Sequence, residues 1–131
     1  MGSKTDYYEN AVLNVLRNTA ISAIAQCYIA LFTVVTNGET STVTECANAN
    51  GYARTAVNFA APSGGSISNN ADVTFPNPTG SWGTVVGWAI VDNGTYGAGN
   101  QLYYNAQTPN KPIVQDDVVK FLSGTLTISE D

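Results

Sequence analysis

The sequence contains no histidine and only two cysteines, Cys27 and Cys46. Without histidine neither a Ser-His-Asp triad nor a Cys-His pair can form, which excludes the commonest arrangements for nucleophilic catalysis. Two cysteines alone are too few for a zinc site. The adjacent acidic pair Asp116-Asp117 lies between Pro112 and a predicted strand and is typical of a solvated turn rather than of a pair of catalytic carboxylates. We therefore predict no catalytic residue, no cofactor and no metal site.

Basic residues are also few. There are five against ten acidic residues, giving a net charge of -5, and they lie far apart: Lys4, Arg17, Arg54, Lys111 and Lys120. Because no basic patch can form from them, nucleic acid is not an expected partner. No apolar run reaches about 18 residues, so no membrane span is expected. Asp6 and Glu9 stand where a secretory signal would carry positive charge, so we expect synthesis in a reducing cytoplasm and free thiols at both cysteines.

Charged residues of both signs make up only 11% of the chain, against about 25% in an average protein. Asparagine, threonine, serine and 12 glycines take their place. Neutral polar groups lose their water more easily than ions do, so such surfaces are common where protein meets protein. The composition favours a non-enzymatic protein that acts through protein-protein contacts.

Residues 27–35 are apolar at both their odd-numbered and even-numbered positions. In a strand these two sets point to opposite faces, so the strand needs cover on both sides and must be a central one. Residues 84–91 share this property, and Gly87 within them indicates a bulge or a close backbone neighbour. We predict that the two segments are neighbours in the middle of a sheet.

The N-terminal region predicts one amphipathic helix over residues 6–18. Asp6 is expected to be its N-cap, with Glu9 completing a capping box. Residues 19–26 are mostly small or apolar and either connect the helix to the first central strand or continue the helix. Tyr7 and Tyr8 are candidate interaction residues: either they pack on the body of the domain, or they belong to a docking element for another subunit.

Period-two patterns and turn signals predict roughly seven to nine short strands in the rest of the chain. Residues 39–45 form either an edge strand or a loop. Residues 52–59 read as a strand with Arg54 and Asn58 facing outward. A strand from residue 101 is expected to stop at the prolines that follow residue 107. Near the C-terminus, the pattern does not decide whether Phe121 or Leu122 faces the core.

These elements predict a mainly β protein, an antiparallel β-sandwich or compact barrel with one N-terminal amphipathic helix. The chain is expected to form a single domain, residues 1–131, with the helix at about 6–18 and the β body at about 27–131. Tyr96 lies in a glycine-rich loop after the second central strand. Because an exposed aromatic ring can stack on a sugar, Tyr96 is a further candidate interaction residue and a glycan a candidate partner.

Several motifs in order along the chain resemble those of a family of small tailed-bacteriophage virion proteins: Asp6-Tyr-Tyr-Glu-Asn10, Tyr28-Ile-Ala-Leu-Phe-Thr33, Gly51-Tyr-Ala-Arg54, Ala71-Asp-Val-Thr-Phe-Pro76, Trp82-Gly-Thr-Val85 and Leu102-Tyr-Tyr104. The resemblance covers nearly the whole chain. Members of that family are described as tail fibre or minor structural proteins.

The resemblance implies a component of the virion whose partners are other capsid or tail subunits. Sparse charge and the absence of a catalytic constellation favour an assembly subunit, held as a homo-oligomer in the particle by several contacts at once. We expect a capsid cement or decoration protein slightly more than the alternative, a tail fibre or tail-tip component that binds a host-surface glycan.

Overall fold

The computed structural model describes residues 3–129, and for residues 106–110 it describes the backbone alone. Over this part of the chain the elements follow in the order β1 (Ser3–Lys4), α1 (Asp6–Val15), β2 (Cys27–Asn37), β3 (Thr42–Glu45), β4 (Thr55–Val57), β5 (Ser66–Ser68), β6 (Val73–Thr74), β7 (Gly83–Val91), β8 (Gln101–Ile113), β9 (Lys120–Phe121) and β10 (Thr127–Ser129). Strands account for 41% of the structure and helix for 8%, which confirms the mainly β class.

The main sheet is antiparallel, with the strand order β1-β8-β7-β2-β3. β4 pairs with the first residues of β2, on the edge where β3 pairs with its later residues. The two doubly apolar segments, β2 and β7, are central neighbours, with Ile29 opposite Ile90 and Leu31 opposite Trp88. The predicted centre of the sheet is therefore confirmed.

Both faces of this central pair are covered. On one face Ile29 and Leu31 belong to the larger hydrophobic cluster, together with Trp88 and Ile90. The opposite face carries a smaller cluster of Ala30, Phe32, Ala89 and Val91, which Tyr28, Val35, Val43 and Tyr104 partly cover. Cover on both faces explains why neither strand has a polar side.

Two small sheets, β5 with β10 and β6 with β9, form a second layer over the larger cluster. Phe75, directly after β6, is 2% exposed. Its ring centroid lies 6.4 Å from that of Trp82 and 6.3 Å from that of Phe121. Phe121 thus faces the core, while Leu122 is exposed. The layers are sandwich-like, and over residues 3–129 the main sheet does not close into a barrel.

The helix α1 begins at Asp6, as predicted, but its N-cap lies one residue earlier than expected. Thr5, not Asp6, is the N-cap: its side chain accepts a hydrogen bond from the Tyr8 N–H and donates one to the Gln101 carbonyl at 2.5 Å. Thr5 is fully buried because β1 pairs with β8. Since the third helical position after this cap is Tyr8, Glu9 does not form the predicted capping box.

The helix also ends earlier than predicted, at Val15 instead of residue 18. Asn18 has a φ of 63°, a left-handed conformation that asparagine tolerates and a helix does not. Residues 19–26 contain no regular element, so they connect α1 to β2 and do not continue the helix.

Three strand predictions are refined. Residues 42–45 of the segment 39–45 do form an edge strand, β3. The predicted strand 52–59 is paired with β2 only over β4. β8 does not stop after residue 107 but continues to Ile113, although its register with β7 shifts between the pair Gly87–Ala106 and the pair Val85–Lys111. This shift confirms the irregularity expected at Gly87.

Candidate functional site

The three candidate tyrosines lie in two different places. Tyr7 and Tyr8 line a groove beside α1, whereas Tyr96 lines a pocket at the end of the main sheet. Tyr8 is half-buried and meets Tyr103 of β8 edge to face, with ring centroids 5.5 Å apart. Tyr8 therefore packs on the body of the protein, while Tyr7 is 49% exposed. The packing alternative applies to Tyr8, and a docking role for Tyr7 stays a prediction.

No residue of α1 is buried, although a surface helix usually buries an apolar stripe. Six large apolar side chains along α1 and the segment after it are exposed by 41% or more, up to 82% for Leu16. We call this set the α1 surface: Tyr7, Val12, Leu13, Val15, Leu16 and Ile21. All six residues lie between positions 7 and 21, so many large apolar side chains are exposed within one short segment.

A groove of about 460 Å³ lies between α1 and residues 19–25. Small side chains form much of its wall, including Ala11, Ala20, Ala23 and Ala25. Small residues let the backbone of another element approach closely. The α1 surface forms a ridge and the groove beside it a depression. Ridges of one element pack into grooves of another in this way.

The pocket beside Tyr96 measures about 240 Å³ and lies between β3, the loop 93–99 and the start of β8. We call it the Tyr96 pocket; its walls are Phe32, Ser41, Val43, Glu45, Arg54, residues 96–99 and Gln101. Its lining is mixed, with the polar or charged Ser41, Glu45, Arg54 and Gln101 beside the apolar Phe32 and Val43. Tyr96, 39% exposed, forms part of its rim and meets Tyr52 at 85° with ring centroids 6.2 Å apart.

Arg54 anchors this pocket, although its position in the strand pattern predicted an outward-facing side chain. Its Nε and Nη2 atoms donate to the two carboxylate oxygens of Glu45 at 3.0 and 2.9 Å. Its Nη1 donates to the carbonyls of Asn93 and Ala98 at 2.8 and 2.7 Å. The side chains of Arg54 and Glu45 are only 5% and 10% exposed. One guanidinium thus joins the β3 edge to the loop that carries Tyr96.

Tyr52 connects the pocket to the centre of the sheet. Its hydroxyl donates to Glu45 Oε2 at 2.6 Å and accepts a hydrogen bond from the Leu31 N–H at 3.1 Å. Burial, followed by the hydrogen bond to the Glu45 carboxylate, raises the pKa of Tyr52 far above its usual value. The phenol therefore remains a donor to Glu45, and the carboxylate is held by two partners.

Gln101 lines the same pocket. Among the described side chains, its Oε1 is the one buried polar atom without a hydrogen-bond partner. Nothing in the sequence pattern singled out Gln101, Glu45 or Arg54, because residues 45, 54 and 101 come together only through the pairing of distant strands. Tyr96 was the one signal in the sequence that pointed to this place.

The free energy of unfolding should fall between about pH 9 and 11, because the thiol of Cys46 is buried beside the Glu45 carboxylate. Burial, and then the Glu45 carboxylate, raise the pKa of the Cys46 thiol from 9.0 to about 11. An unfolded chain loses this proton first, so the stabilisation is complete below pH 9 and is lost as the pH rises to about 11, by about 2–3 kcal/mol at most. Tyr52 acts in the same direction.

Urea unfolding measured from about pH 8 to pH 11 tests this expectation. The variant Cys46→Ala should lose less stability over this interval than the unmodified protein, since it has no thiol to titrate. An equally steep loss in both proteins would show that Cys46 is not responsible.

The remaining candidate groups have structural roles. Asp116 and Asp117 lie in the predicted turn, where Asn77 donates to Asp116 at 2.8 Å and Lys111 pairs with Asp117 at 3.2 Å. Over residues 3–129, no three acidic or cysteine side chains are grouped in a way that would hold a metal ion. No helix in the described part of the chain is long and apolar enough to cross a membrane.

The described residues thus form a small, sandwich-like β-rich fold with an exposed apolar surface at α1 and a partly polar pocket at Tyr96. A family model identifies it further. Residues 3–129 match the family Podophage GP4 fiber I protein gp80, and the chain belongs to this family. No curated protein matches the sequence. Membership of a family of phage fibre proteins favours the tail fibre alternative and does not support the capsid cement role expected from the sequence.

Proposed function

We propose that this protein is a structural component of a podophage tail fibre, that it joins a neighbouring virion protein through the α1 surface, and that it catalyses no reaction. Family membership supports its place in a fibre. The observation that carries the binding role is α1 itself: a helix without one buried residue, with Leu16 82% exposed. The interacting partner is an apolar segment of an adjacent fibre or tail subunit.

The energetics favour association at this surface. Burying a leucine or valine side chain that is otherwise in water contributes about 1.5–3 kcal/mol, and a few such anchors dominate most interfaces. Leu13 and Leu16 are the most exposed members of the α1 surface, at 59% and 82%. Charges near α1 are few, with Asp6 and Glu9 in its first turn and none in its last. A partner would therefore displace water without having to desolvate many ions.

Phage particles grown with the variant Leu13→Glu or Leu16→Glu should contain little or none of this protein, as measured by quantitative mass spectrometry of purified virions. A charge at the centre of an apolar contact is left unpaired when the partner binds, at a cost of several kcal/mol. Both side chains are exposed, so the isolated variants should unfold at the same temperature as the unmodified protein.

Leu122→Glu is the matched control. Leu122 is 55% exposed, close to Leu13 in exposure, but lies after β9 and outside the α1 surface. This variant should be incorporated normally. Normal incorporation of Leu13→Glu and Leu16→Glu would contradict the proposed contact. A copy number matching the capsid shell instead of the tail would contradict the fibre assignment, since the symmetry of each structure fixes the count.

A further inference from the structure

A second groove, of about 320 Å³, lies between the start of β7, the end of β8 and the segment 118–121. We call it the β9 groove; its apolar wall is formed by Leu31, Val85, Ile113, Val118, Val119 and Phe121. The deeper members Leu31, Val85 and Ile113 are 1–3% exposed, whereas Val118 is 43% exposed. The groove is therefore an apolar recess that opens at the surface, and it is large enough for more than one apolar side chain.

Two of the five basic residues of the chain, Lys111 and Lys120, also line the β9 groove. Each is paired with a nearby carboxylate, Lys111 with Asp117 at 3.2 Å and Lys120 with Asp72 at 3.4 Å, and the lysine side chains are 54% and 48% exposed. Exposed pairs of this kind hold their members weakly, and an ammonium group has three donors. Both lysines can therefore bind a further carboxylate from a partner.

The helix α1 presents the complementary pattern. Asp6, Glu9, Leu13 and Leu16 are spaced by three, four and three residues, so they follow one face of the helix. All four are exposed, whereas Tyr8 on the other side of the helix is half-buried. The outer face of α1 is thus a stripe with two carboxylates at its start and two leucines at its end. This combination matches a groove with an apolar wall and two lysines.

The two surfaces of one molecule lie too far apart to meet each other. Tyr8 of α1 packs on Tyr103, which lies opposite Ile90 of β7. The β9 groove begins at Val85, opposite Lys111. Val85 and Ile90 are five residues apart on β7, which corresponds to roughly 17 Å along the strand. The helix of one molecule can therefore fill only the groove of another molecule.

We propose that the outer face of α1 docks in the β9 groove of a second copy of this protein, with its leucines against the apolar wall and its carboxylates at the two lysines. This inference rests on the proposed function, in which α1 is the contact surface, and names the partner. Because the two surfaces differ, every contact leaves one free helix and one free groove. Copies therefore add head to tail, into a ring or a filament.

Sedimentation equilibrium of the purified whole protein tests the proposal. Over concentrations from about 10 µM to about 1 mM, the average mass should rise steadily above that of the monomer. One helix face in one groove makes a small interface, so a Kd on the order of 10–100 µM is expected. A protein that stays monomeric over the whole range would overturn the proposal.

Leu16→Glu and Val118→Glu should each weaken association by about tenfold or more, because each places a charge in one of the two apolar surfaces. Both side chains are exposed, so both variants should fold. Glu9→Lys should weaken association to a similar degree, since it brings a positive charge to the lysines of the groove. Leu122→Glu is the matched control; Leu122 is 55% exposed but lies outside the residues that line the groove, so this variant should associate normally.

Mixing the two defective variants tests whether the contact joins different surfaces. Leu16→Glu retains its groove and Val118→Glu retains its helix, so an equimolar mixture should form a one-to-one complex and nothing larger. If Val118→Glu does not fold, Lys120→Glu takes its place. The proposal is overturned if the mixture forms no complex, or if Val118→Glu alone associates like the unmodified protein, which would indicate that α1 packs on α1 of the second copy.

Incorporation into virions separates this inference from the proposed function. Particles grown with Val118→Glu should contain less of the protein, because the groove is needed for each added copy. Normal incorporation of Val118→Glu together with loss of Leu16→Glu would overturn this inference and leave the proposed function intact, since α1 would then bind a different virion protein. Normal incorporation of Leu16→Glu would contradict the proposed function itself.

Discussion

Replacing Phe75 by alanine is expected to lower the free energy of unfolding by about 3–5 kcal/mol, the range for removing a fully buried aromatic ring. Phe75 is 2% exposed and contacts both Trp82 and Phe121, so its ring fills the space between the main sheet and the small sheet formed by β6 and β9. β6 and β9 have only two residues each. Strands that short cannot fill the gap by moving closer without losing their pairing.

Chemical denaturation measures this effect as a decrease in the midpoint at constant slope. Phe75→Leu retains most of the volume and should cost less, about 1–1.5 kcal/mol. A loss below about 1 kcal/mol for Phe75→Ala would mean that packing of the second layer on the larger cluster contributes little to stability. A changed slope would indicate that the small sheets separate before the main sheet unfolds.

Replacing Arg54 by alanine should also cost about 3–5 kcal/mol, because the change leaves a buried carboxylate without its partner. Glu45 would keep only the Tyr52 hydroxyl, and the carbonyls of Asn93 and Ala98 would lose their donor. Arg54→Lys should rescue this poorly, because an ammonium group cannot form a two-point contact with Glu45 and also reach two carbonyls.

The exposed ion pair between Lys111 and Asp117 provides the control. Its side chains are 54% and 28% exposed, so Lys111→Ala should change the free energy of unfolding by at most about 1 kcal/mol. The double variant Arg54→Met with Glu45→Leu should be more stable than Arg54→Ala, since no unpaired charge remains. If Arg54→Ala and Lys111→Ala are equally mild, the pair is not a structural anchor and the loop is held by other contacts.

The central part of the fold was predictable because it depends on a local property. A segment that is apolar on both faces needs a central place in the sheet and cover on each face; β2 and β7 are central neighbours, and the larger and smaller hydrophobic clusters cover their two faces. The edges were harder to predict. The prolines in β8 suggested a break, yet the strand continues: Pro109 lies where the register with β7 shifts, and Pro112 lies opposite Thr84.

The candidate site could not be predicted, because it is formed by contacts between residues that lie far apart in the sequence. The alternation of residues 52–59 placed Arg54 on a solvent face, but a carboxylate from β3 and two loop carbonyls meet it there. Likewise, the hydroxyl of the helix cap Thr5 donates a hydrogen bond to the carbonyl of Gln101, which is 96 residues away in the sequence. Tyr7, Tyr8 and Tyr96 could be selected as exposed or half-exposed rings, but only the three-dimensional arrangement shows which surroundings each one has.

The order of the strands also has a consequence for biosynthesis. Roughly 45 residues separate the end of β2 from the start of β7, which at roughly 5–20 residues per second corresponds to a few seconds of translation. During this interval β2, which is apolar on both faces, lacks its central neighbour β7 and the later residues of the larger cluster. The strand β1 remains unpaired still longer, until β8 is synthesised. The ribosome must therefore release nearly the whole polypeptide before the fold can close, and a chaperone that shields β2 meanwhile would protect the yield of the protein.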